Sequence, residues 1–212
     1  MIIGLPIGAL QANGYIVFDE GSGEAALVDP GGDPVPLFRE IERRGLTVRA
    51  ILNTHAHFDH IAANAIVKQR YPEAPLMLHR ADFPLLAEGG GAAWFDLAYL
   101  PSPPADHALE EGEEIALGAL TLRVLHTPGH TPGSLCFYIP QEQALLSGDT
   151  FFRGSIGRTD LPGGDARQLT ASLRRLLALP PETTVHPGHG PATTLERECR
   201  HNPYLRRLCG EG

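Results

Sequence analysis

The order of apolar runs along this 212-residue chain restricts the folds that it can adopt. Short strand-like runs come first, helical runs follow, and the same succession is repeated in the second half. A doubly wound parallel sheet would instead show a regular alternation of strand and helix. The pattern therefore predicts an α+β fold of two mixed sheets, each with helices on its outer face. The length suits a single domain over residues 1–212.

The predicted elements follow from hydrophobic periodicity and from the turn residues between them. Strands are predicted at residues 1–7, 15–19, 25–29, 48–53, 76–79, 114–117, 120–125, 134–139, 144–147 and 183–185. Helices are predicted at 34–44, from 59 or 60 to about 70, and at 81–87, 166–179 and 195–208, with an interruption near Pro203. Residues 89–105 are irregular but contain Trp94, Phe95, Leu97 and Tyr99, which favours an ordered loop or lid over a free interdomain linker.

Composition argues against several classes of function. The formal net charge is −8, and an acidic chain gains nothing from counterion release, so we expect no nucleic-acid partner. The sequence has no apolar run long enough for a membrane span and no signal peptide at its start. Cys136, Cys199 and Cys209 form no CxxC pair and no even-numbered set, which predicts reduced thiols and a cytoplasmic protein.

Four residues of metal-ligand type lie within six positions, where the strand predicted at 48–53 leads into a helix. They are His55, His57, Asp59 and His60. In an extended segment the first two imidazoles can converge on one ion, and the other two side chains point to a neighbouring position. Imidazole and carboxylate suit Zn²⁺, Fe or Mn²⁺. The run therefore predicts two adjacent metal ions.

Two ions need more ligands than one run provides. His130, Asp149 and His189 each follow a predicted strand and lie beside glycine, where a rigid scaffold can present them. Each alone is more typical of a turn residue, but a metal site at the run requires such partners. The remaining histidines are interpreted as surface, packing or supporting residues: His79, His107, His126, His186 and His201.

Together the motifs resemble the metallo-β-lactamase superfamily, and within it the glyoxalase II branch of hydroxyacylglutathione hydrolases. They are Thr-His-Ala-His-Phe-Asp-His at 54–60, Thr-Pro-Gly-His-Thr-Pro-Gly-Ser at 127–134, Gly-Asp-Thr at 148–150, Gly-Arg-Thr-Asp at 157–160 and Gly-His-Gly at 188–190. They occur in the order of the superfamily. The resemblance implies an αββα sandwich with its site at one edge, between the sheets.

The resemblance also implies a ligand set for two divalent ions, with zinc expected and iron or manganese as alternatives. One ion would be held by His55, His57 and His130, the other by Asp59, His60 and His189, and Asp149 would bridge both.

Four further roles follow from the resemblance. Asp59 and Asp149 are the expected catalytic carboxylates. Arg158 is expected to pair with a substrate carboxylate, the alternative being a surface arginine in a salt bridge. Asp29, at the end of a predicted strand, is expected to support a metal-binding histidine.

The implied reaction is hydrolysis of a thioester, S-D-lactoylglutathione or a related hydroxyacylglutathione, by a hydroxide that bridges the two ions. The expected partner is that small molecule, and the expected state is a monomer or homodimer. Lactamases of the superfamily typically lack the histidine that corresponds to His60 and use a cysteine ligand instead. Only a short tail follows the last ligand loop, and Pro191 replaces an aromatic residue of the branch, so the match is best to short, single-domain bacterial proteins.

Two alternatives stay open. The persulfide dioxygenase branch shares the Gly-Arg-Thr-Asp motif and uses one iron with ligands like His55, His130 and Asp149, although the loop around His189 departs from its pattern. A non-catalytic, metal-stabilised binding protein is the third interpretation, and an open coordination position would argue against it.

Overall fold

A computed structural model describes residues 1–210, so the last two residues of the predicted domain lie outside it. Its first sheet contains, in spatial order, β1 (Ile2–Ile7), β2 (Ala12–Phe18), β3 (Glu24–Val28), β4 (Thr47–Leu52), β5 (Leu76–His79) and β6 (His107–Leu109). The first three strands pair antiparallel, and β3 to β6 pair parallel. This sheet is therefore mixed, as predicted.

The second half of the chain forms another six-stranded sheet and a small hairpin. Its strands are β7 (Glu114–Leu117), β8 (Leu120–His126), β9 (Leu135–Ile139), β10 (Ala144–Gly148), the hairpin β11 (Phe151–Phe152) and β12 (Ser155–Ile156), then β13 (Thr184–Pro187) and β14 (Thr193–Thr194). The spatial order is β14-β13-β10-β9-β8-β7, with the hairpin apart from the sheet. Only β10 and β13 pair parallel, so this sheet is also mixed.

Seven α-helices accompany the sheets within residues 1–210. They are α1 (Val35–Arg44), α2 (Phe58–Ile61), α3 (Asn64–Arg70), α4 (Phe83–Ala87), α5 (Ala166–Leu176), α6 (Leu195–His201) and α7 (Leu205–Cys209). The bounds of α1 follow from a proline in its first turn and from Gly45, which ends it in the left-handed conformation (φ 64°). The Asp165 carboxylate caps α5 by accepting hydrogen bonds from two backbone amides. Among these elements no helix is long and apolar enough to cross a membrane.

Three apolar clusters arrange these elements in four layers. The central cluster joins the inner faces of the two sheets, for example Val28 and Leu52 of the first with Phe137 and Leu146 of the second. A second cluster packs α1 and α3 on the outside of the first sheet. A third packs α5, α6 and α7 on the outside of the second sheet. The predicted αββα sandwich is therefore confirmed.

Local structure differs from the prediction at several points. The single helix expected from residue 59 or 60 to about 70 is wrong, because the chain forms α2 and α3 instead. The amide of Ala63 bonds the carbonyl of Pro30 rather than continuing the helical ladder. The short strands β6, β11, β12 and β14 were not predicted, since two- and three-residue strands depend on distant pairing rather than on local periodicity.

The cysteines also differ from the expectation of three reduced thiols. Cys199 and Cys209 form a disulfide with their Cα atoms 5.7 Å apart. The interruption after α6 allows α7 to fold back against it, which brings together two cysteines whose spacing matches no motif. Cys136 is free and buried, and burial raises the pKa of its thiol to about 11.

Candidate metal centre

All seven predicted ligands meet at one edge of the two sheets, because each lies in the segment that follows a strand. The segment after β4 carries His55, His57, Asp59 and His60, and the loops after β8, β10 and β13 carry the other three. Four of the five histidines are at most 6% exposed. The carboxylates of Asp59 and Asp149 and the imidazole of His189 are partly exposed. The cluster therefore has a buried side and a side open to solvent.

The first group of donor atoms comes from both halves of the chain. Each of three imidazoles contributes one nitrogen, and these nitrogens lie within 4.8 Å of one another; the residues are His55, His57 and His130. The closest pair is His57 Nδ1 and His130 Nε2, 2.8 Å apart. Nδ1 of His130 faces the carbonyl oxygen of Arg158 at 2.8 Å, which orients its Nε2 towards the cluster.

The second group consists of Asp59, His60 and His189, whose donor atoms also lie within 4.8 Å of one another. His189 Nε2 is 3.1 Å from Asp59 Oδ2, and His60 Nε2 is 3.8 Å from the same oxygen. Asp149 lies between the two groups. Its carboxylate is 3.5 Å from His60 Nε2 and 3.6 Å from His130 Nε2.

Several buried polar atoms of the cluster have no hydrogen-bond partner among the described residues. They include Nε2 of His55 and of His60 and Oδ1 of Asp149. An unpaired buried polar atom costs free energy, so such atoms are normally satisfied by a ligand or an ion. Imidazole nitrogens and a carboxylate are the donors that zinc and iron accept. The side chains therefore fit divalent metal ions.

The electrostatics of the cluster point the same way. Burial is the largest cause that lowers the pKa of His57 to about 3, so its ring is neutral at pH 7 and retains a free lone pair. Burial also opposes the charged form of His60, but the nearby carboxylates of Asp149, Asp59 and Asp29 raise its pKa to about 10. Three carboxylates thus favour positive charge at this position, as they would favour a bound cation.

Asp29, which the resemblance implies as a support for a metal-binding histidine, lies behind the cluster. It directly follows β3 in the left-handed conformation (φ 49°), which aspartate tolerates better than most residues. Its carboxylate accepts hydrogen bonds from the amide and the hydroxyl of Thr54 at 2.7 and 2.6 Å. The other contact is with Nδ1 of His60 at 3.0 Å, which leaves Nε2 facing the cluster. This geometry agrees with a supporting role.

Asp82 is a second buried carboxylate behind the cluster, and the sequence carries no local signal for it. It accepts hydrogen bonds from Ala56 N at 2.9 Å and from Thr131 Oγ1 at 2.8 Å. A third comes from Gly133 N at 2.7 Å. Ala56 lies between two histidines of the cluster, and Thr131 follows His130. Asp82 therefore joins the ligand loops of both halves, through partners that are far apart in the sequence.

The first sheet holds the His189 loop in place. Asn13 donates from its amide nitrogen to the carbonyls of Pro187 and Gly190 at 2.9 and 2.8 Å. The hydroxyl of Tyr15 donates to the Pro187 carbonyl at 2.7 Å. A Cβ atom at Gly188 would lie 2.1 Å from Asp149 Oδ1, so the close approach of this loop requires glycine. These contacts extend across the sandwich and were not predicted.

The cluster forms the floor of a cleft with a volume of about 400 Å³. Arg158, the predicted substrate contact, lines this cleft, and about half of its side chain is exposed. Its Nε and Nη2 atoms donate to the carboxylate of Asp160 at 2.7 and 2.9 Å. The salt bridge raises the pKa of Arg158 and lowers that of Asp160 to about 2. The guanidinium is therefore both accessible and already paired.

The other histidines lie outside the donor groups that the described residues form. His107 is exposed and pairs with Glu113. His79 stacks on His126 with ring centroids 3.9 Å apart, and His186 packs edge-on against Tyr15. Their supporting and surface roles, predicted from sequence, agree with these contacts.

Curated relatives match almost the whole chain. It is 39% identical over 204 residues to "Probable metallo-hydrolase YqgX" of Bacillus subtilis (strain 168), covering 95% of each chain. It is 35% identical over 208 residues to "Hydroxyacylglutathione hydrolase GloC" of Haemophilus influenzae, covering 95% of this chain and 96% of the relative.

Solved structures also match almost the whole chain. The BLEG-1 B3 metallo-beta-lactamase superposes with a TM-score of 0.90 at 42% identity, covering 97% of this chain and 99% of the other. TTHA1623, solved in a di-iron-bound form, superposes with a TM-score of 0.88 at 46% identity, covering 96% and 100%. The family model of the metallo-beta-lactamase superfamily matches residues 7–189, which include every residue of the cluster. This chain therefore belongs to the metallo-beta-lactamase superfamily.

Proposed function

We propose that this protein is a metal-dependent hydrolase that cleaves a thioester, with S-D-lactoylglutathione or a related hydroxyacylglutathione as substrate. The observation that carries the proposal is the convergence of five histidines and two aspartates, several with unpaired buried atoms, on the floor of an open cleft. The similarity to GloC of Haemophilus influenzae, which is named a hydroxyacylglutathione hydrolase, supports the choice of substrate.

We propose that two divalent ions bind here, zinc being expected. His55, His57 and His130 would hold one ion, and Asp59, His60 and His189 the other. Asp149, which lies between the groups, would contact both. When bound, such ions lower the pKa of water and polarise a carbonyl oxygen. Iron is the alternative that the di-iron form of TTHA1623 suggests.

The protein's own side chains would position the reactants. Asp59 and Asp149 face the open side of the cluster, where a carboxylate oxygen can accept a hydrogen bond from the attacking water. Both line the cleft together with Arg158, whose guanidinium can pair with a substrate carboxylate. The water oxygen forms the new bond to the acyl carbon, the carbon–sulfur bond breaks, and a carboxylic acid and a thiol are released.

Metal analysis combined with three assays on one sample tests this proposal. The assays are hydrolysis of S-D-lactoylglutathione, oxygen uptake with glutathione persulfide, and hydrolysis of a chromogenic cephalosporin. The third is included because BLEG-1 is described as a lactamase. Two metal ions per chain with thioester hydrolysis would support the proposal. One iron with oxygen uptake, or hydrolysis of the cephalosporin alone, would overturn it, and a metal-bound protein inactive in every assay would favour a binding protein.

A His60→Ala variant separates the mechanisms further. It removes a donor of the second group and leaves His55, His57 and His130 in place. We expect thioester hydrolysis to be abolished and the metal content to fall to one ion per chain. A single-iron oxygenase that uses His55, His130 and Asp149 would keep most of its activity. The matched control is His107→Ala, because His107 is exposed and pairs with Glu113 at the surface.

A further inference from the structure

Exposed apolar side chains are concentrated beside the candidate centre. Ten large hydrophobic side chains are exposed among the described residues, and six of them are Leu10 or belong to the segment 94–100. Scattered single residues of this kind are normal on a protein surface, whereas a cluster of them indicates a binding surface. Leu10, Phe95 and Leu97 are 53%, 46% and 45% exposed. All three line the cleft above the histidine cluster.

Ring contacts hold this segment against the residues of the metal-ligand run. Phe95 packs on Phe58 with ring centroids 6.0 Å apart, and Trp94 packs edge-on against His57 at 6.1 Å. Leu10, Phe58 and Leu97 also line an adjoining pocket of about 290 Å³. The apolar surface is therefore continuous from the metal-ligand run to the outside of the cleft.

The charges around the cleft limit what this apolar wall can bind. Apart from histidines, Arg158 is the one basic residue among the described residues that line the cleft. The four side chains of the wall, Leu10, Phe58, Phe95 and Leu97, are all apolar. A substrate that fills the cleft thus needs an anionic end for Arg158 and an apolar group for the wall.

We propose that the apolar wall is an acyl-binding subsite, formed by Leu10, Phe58, Phe95 and Leu97; this inference rests on the thioester hydrolysis proposed above. The protein then prefers acylglutathiones with a longer, apolar acyl chain over S-D-lactoylglutathione. The lactoyl group is short and hydroxylated, so it would cover little of this wall. Each additional methylene buried against the wall strengthens binding about fourfold. The bonds that form and break are those of the hydrolysis already described.

Binding of S-alkylglutathiones tests the subsite without requiring catalysis. These thioethers cannot be hydrolysed, and their alkyl chain takes the place of the acyl group. The chain contains a single tryptophan, Trp94, which is 39% exposed beside the wall, so its fluorescence reports occupancy of the subsite. From S-methyl- to S-hexylglutathione we expect the Kd to fall about three- to fourfold per methylene. An unchanged or rising Kd would overturn the proposal.

Variants of the segment 94–100 link this dependence to the wall. Phe95→Ala and Leu97→Ala should each reduce the dependence of Kd on chain length, and also that of kcat/KM in a series from S-acetyl- to S-hexanoylglutathione. Leu100→Ala is the matched control, because Leu100 is 53% exposed in the same segment but does not line the cleft. A control that weakens the dependence as strongly as Leu97→Ala would contradict the assignment.

The two measurements distinguish the subsite from the proposed reaction. If acylglutathiones are hydrolysed at rates independent of chain length and all S-alkylglutathiones bind with the same Kd, the proposed thioester hydrolysis is supported and the proposed subsite is wrong. If the S-alkyl series binds with the expected slope but no acylglutathione is hydrolysed, the apolar subsite stands and the proposed reaction is wrong.

Discussion

The Asp29 carboxylate contacts Nδ1 of His60 at 3.0 Å, although the two residues are 31 positions apart. The same carboxylate accepts two hydrogen bonds from Thr54, whose hydroxyl lies 3.0 Å from Nδ1 of His55. One buried aspartate therefore orients one histidine directly and another through a threonine. Outer contacts of this kind fix the ring and the tautomer of a metal-binding histidine.

The first prediction concerns this contact. Asp29→Asn keeps a residue that tolerates the left-handed backbone, but it replaces a charged acceptor with an amide. We expect the affinity of the cluster for zinc to fall about 10- to 100-fold. Competition with a zinc-binding dye measures it, and Asp33→Asn, at an exposed position in the same loop, is the control. Equal affinities for Asp29→Asn and wild type would contradict a supporting role.

Asp82 gives a prediction about stability. Asp82→Ala removes the acceptor for Ala56 N and Gly133 N and leaves both buried donors unpaired. We expect the free energy of unfolding of the metal-free protein to fall by about 2–5 kcal/mol, measured by urea denaturation. Asp82→Asn should lose less, because its amide oxygen still accepts. A free energy of unfolding for Asp82→Ala within error of wild type would show that the two ligand loops do not need this connection.

The salt bridge at the cleft gives a prediction about substrate affinity. In the proposed substrate complex, Asp160 would compete with the substrate carboxylate for Arg158, since it occupies both Nε and Nη2. Arg158→Gln should raise KM for S-D-lactoylglutathione about tenfold with little change in kcat. Asp160→Asn should lower KM about two- to fivefold, as expected for an exposed ion pair. Steady-state kinetics of both variants provide the test, and parallel changes in the same direction would exclude this competition.

The environment of Glu198 predicts that the free energy of unfolding depends on pH. This buried side chain accepts hydrogen bonds from Gly154 N and Thr193 Oγ1, both at 2.6 Å. Burial alone would raise its pKa, but these bonds and those from Asn202 and Arg197 outweigh it and lower the pKa below the usual 4.5. A carboxylate whose pKa is lower in the folded than in the unfolded state stabilises the protein at pH values above its unfolded-state pKa. This contribution is lost as the pH falls through the folded-state pKa.

We therefore expect Glu198→Gln to be less stable than wild type by about 1–3 kcal/mol at pH 7. The difference should stay constant down to about pH 5 and shrink below the ordinary glutamate pKa of 4.5. Chemical denaturation of both proteins between pH 3 and 7, in excess chelator so that metal release does not contribute, measures it. A difference that persists undiminished at pH 3 would assign the effect to packing rather than to the carboxylate charge.

The two mixed sheets with outer helices and the seven candidate ligands were predictable because their signals are local, whereas the αββα sandwich and the complete ligand set were implied by the resemblance to the superfamily. Each donor lies in the segment that follows an apolar strand, and strand ends of adjacent sheets meet at one edge. Asp82 and Asn13 were not predictable, since their hydrogen-bond partners lie in other loops of the fold. The same holds for the Cys199–Cys209 disulfide, which depends on how α7 packs against α6. Long-range partners are selected by tertiary packing, which a single sequence does not display.

The contact between Asp59 and His189 joins positions 130 apart. A nascent chain that has only its first half outside the ribosome can expose four of the seven donors but cannot close either donor group around them, because His130 and His189 emerge later. Contacts of such sequence separation form late in folding, after long loops have closed. Metal binding is therefore expected to follow the docking of the two sheets, so that an ion would stabilise the folded sandwich rather than direct its assembly.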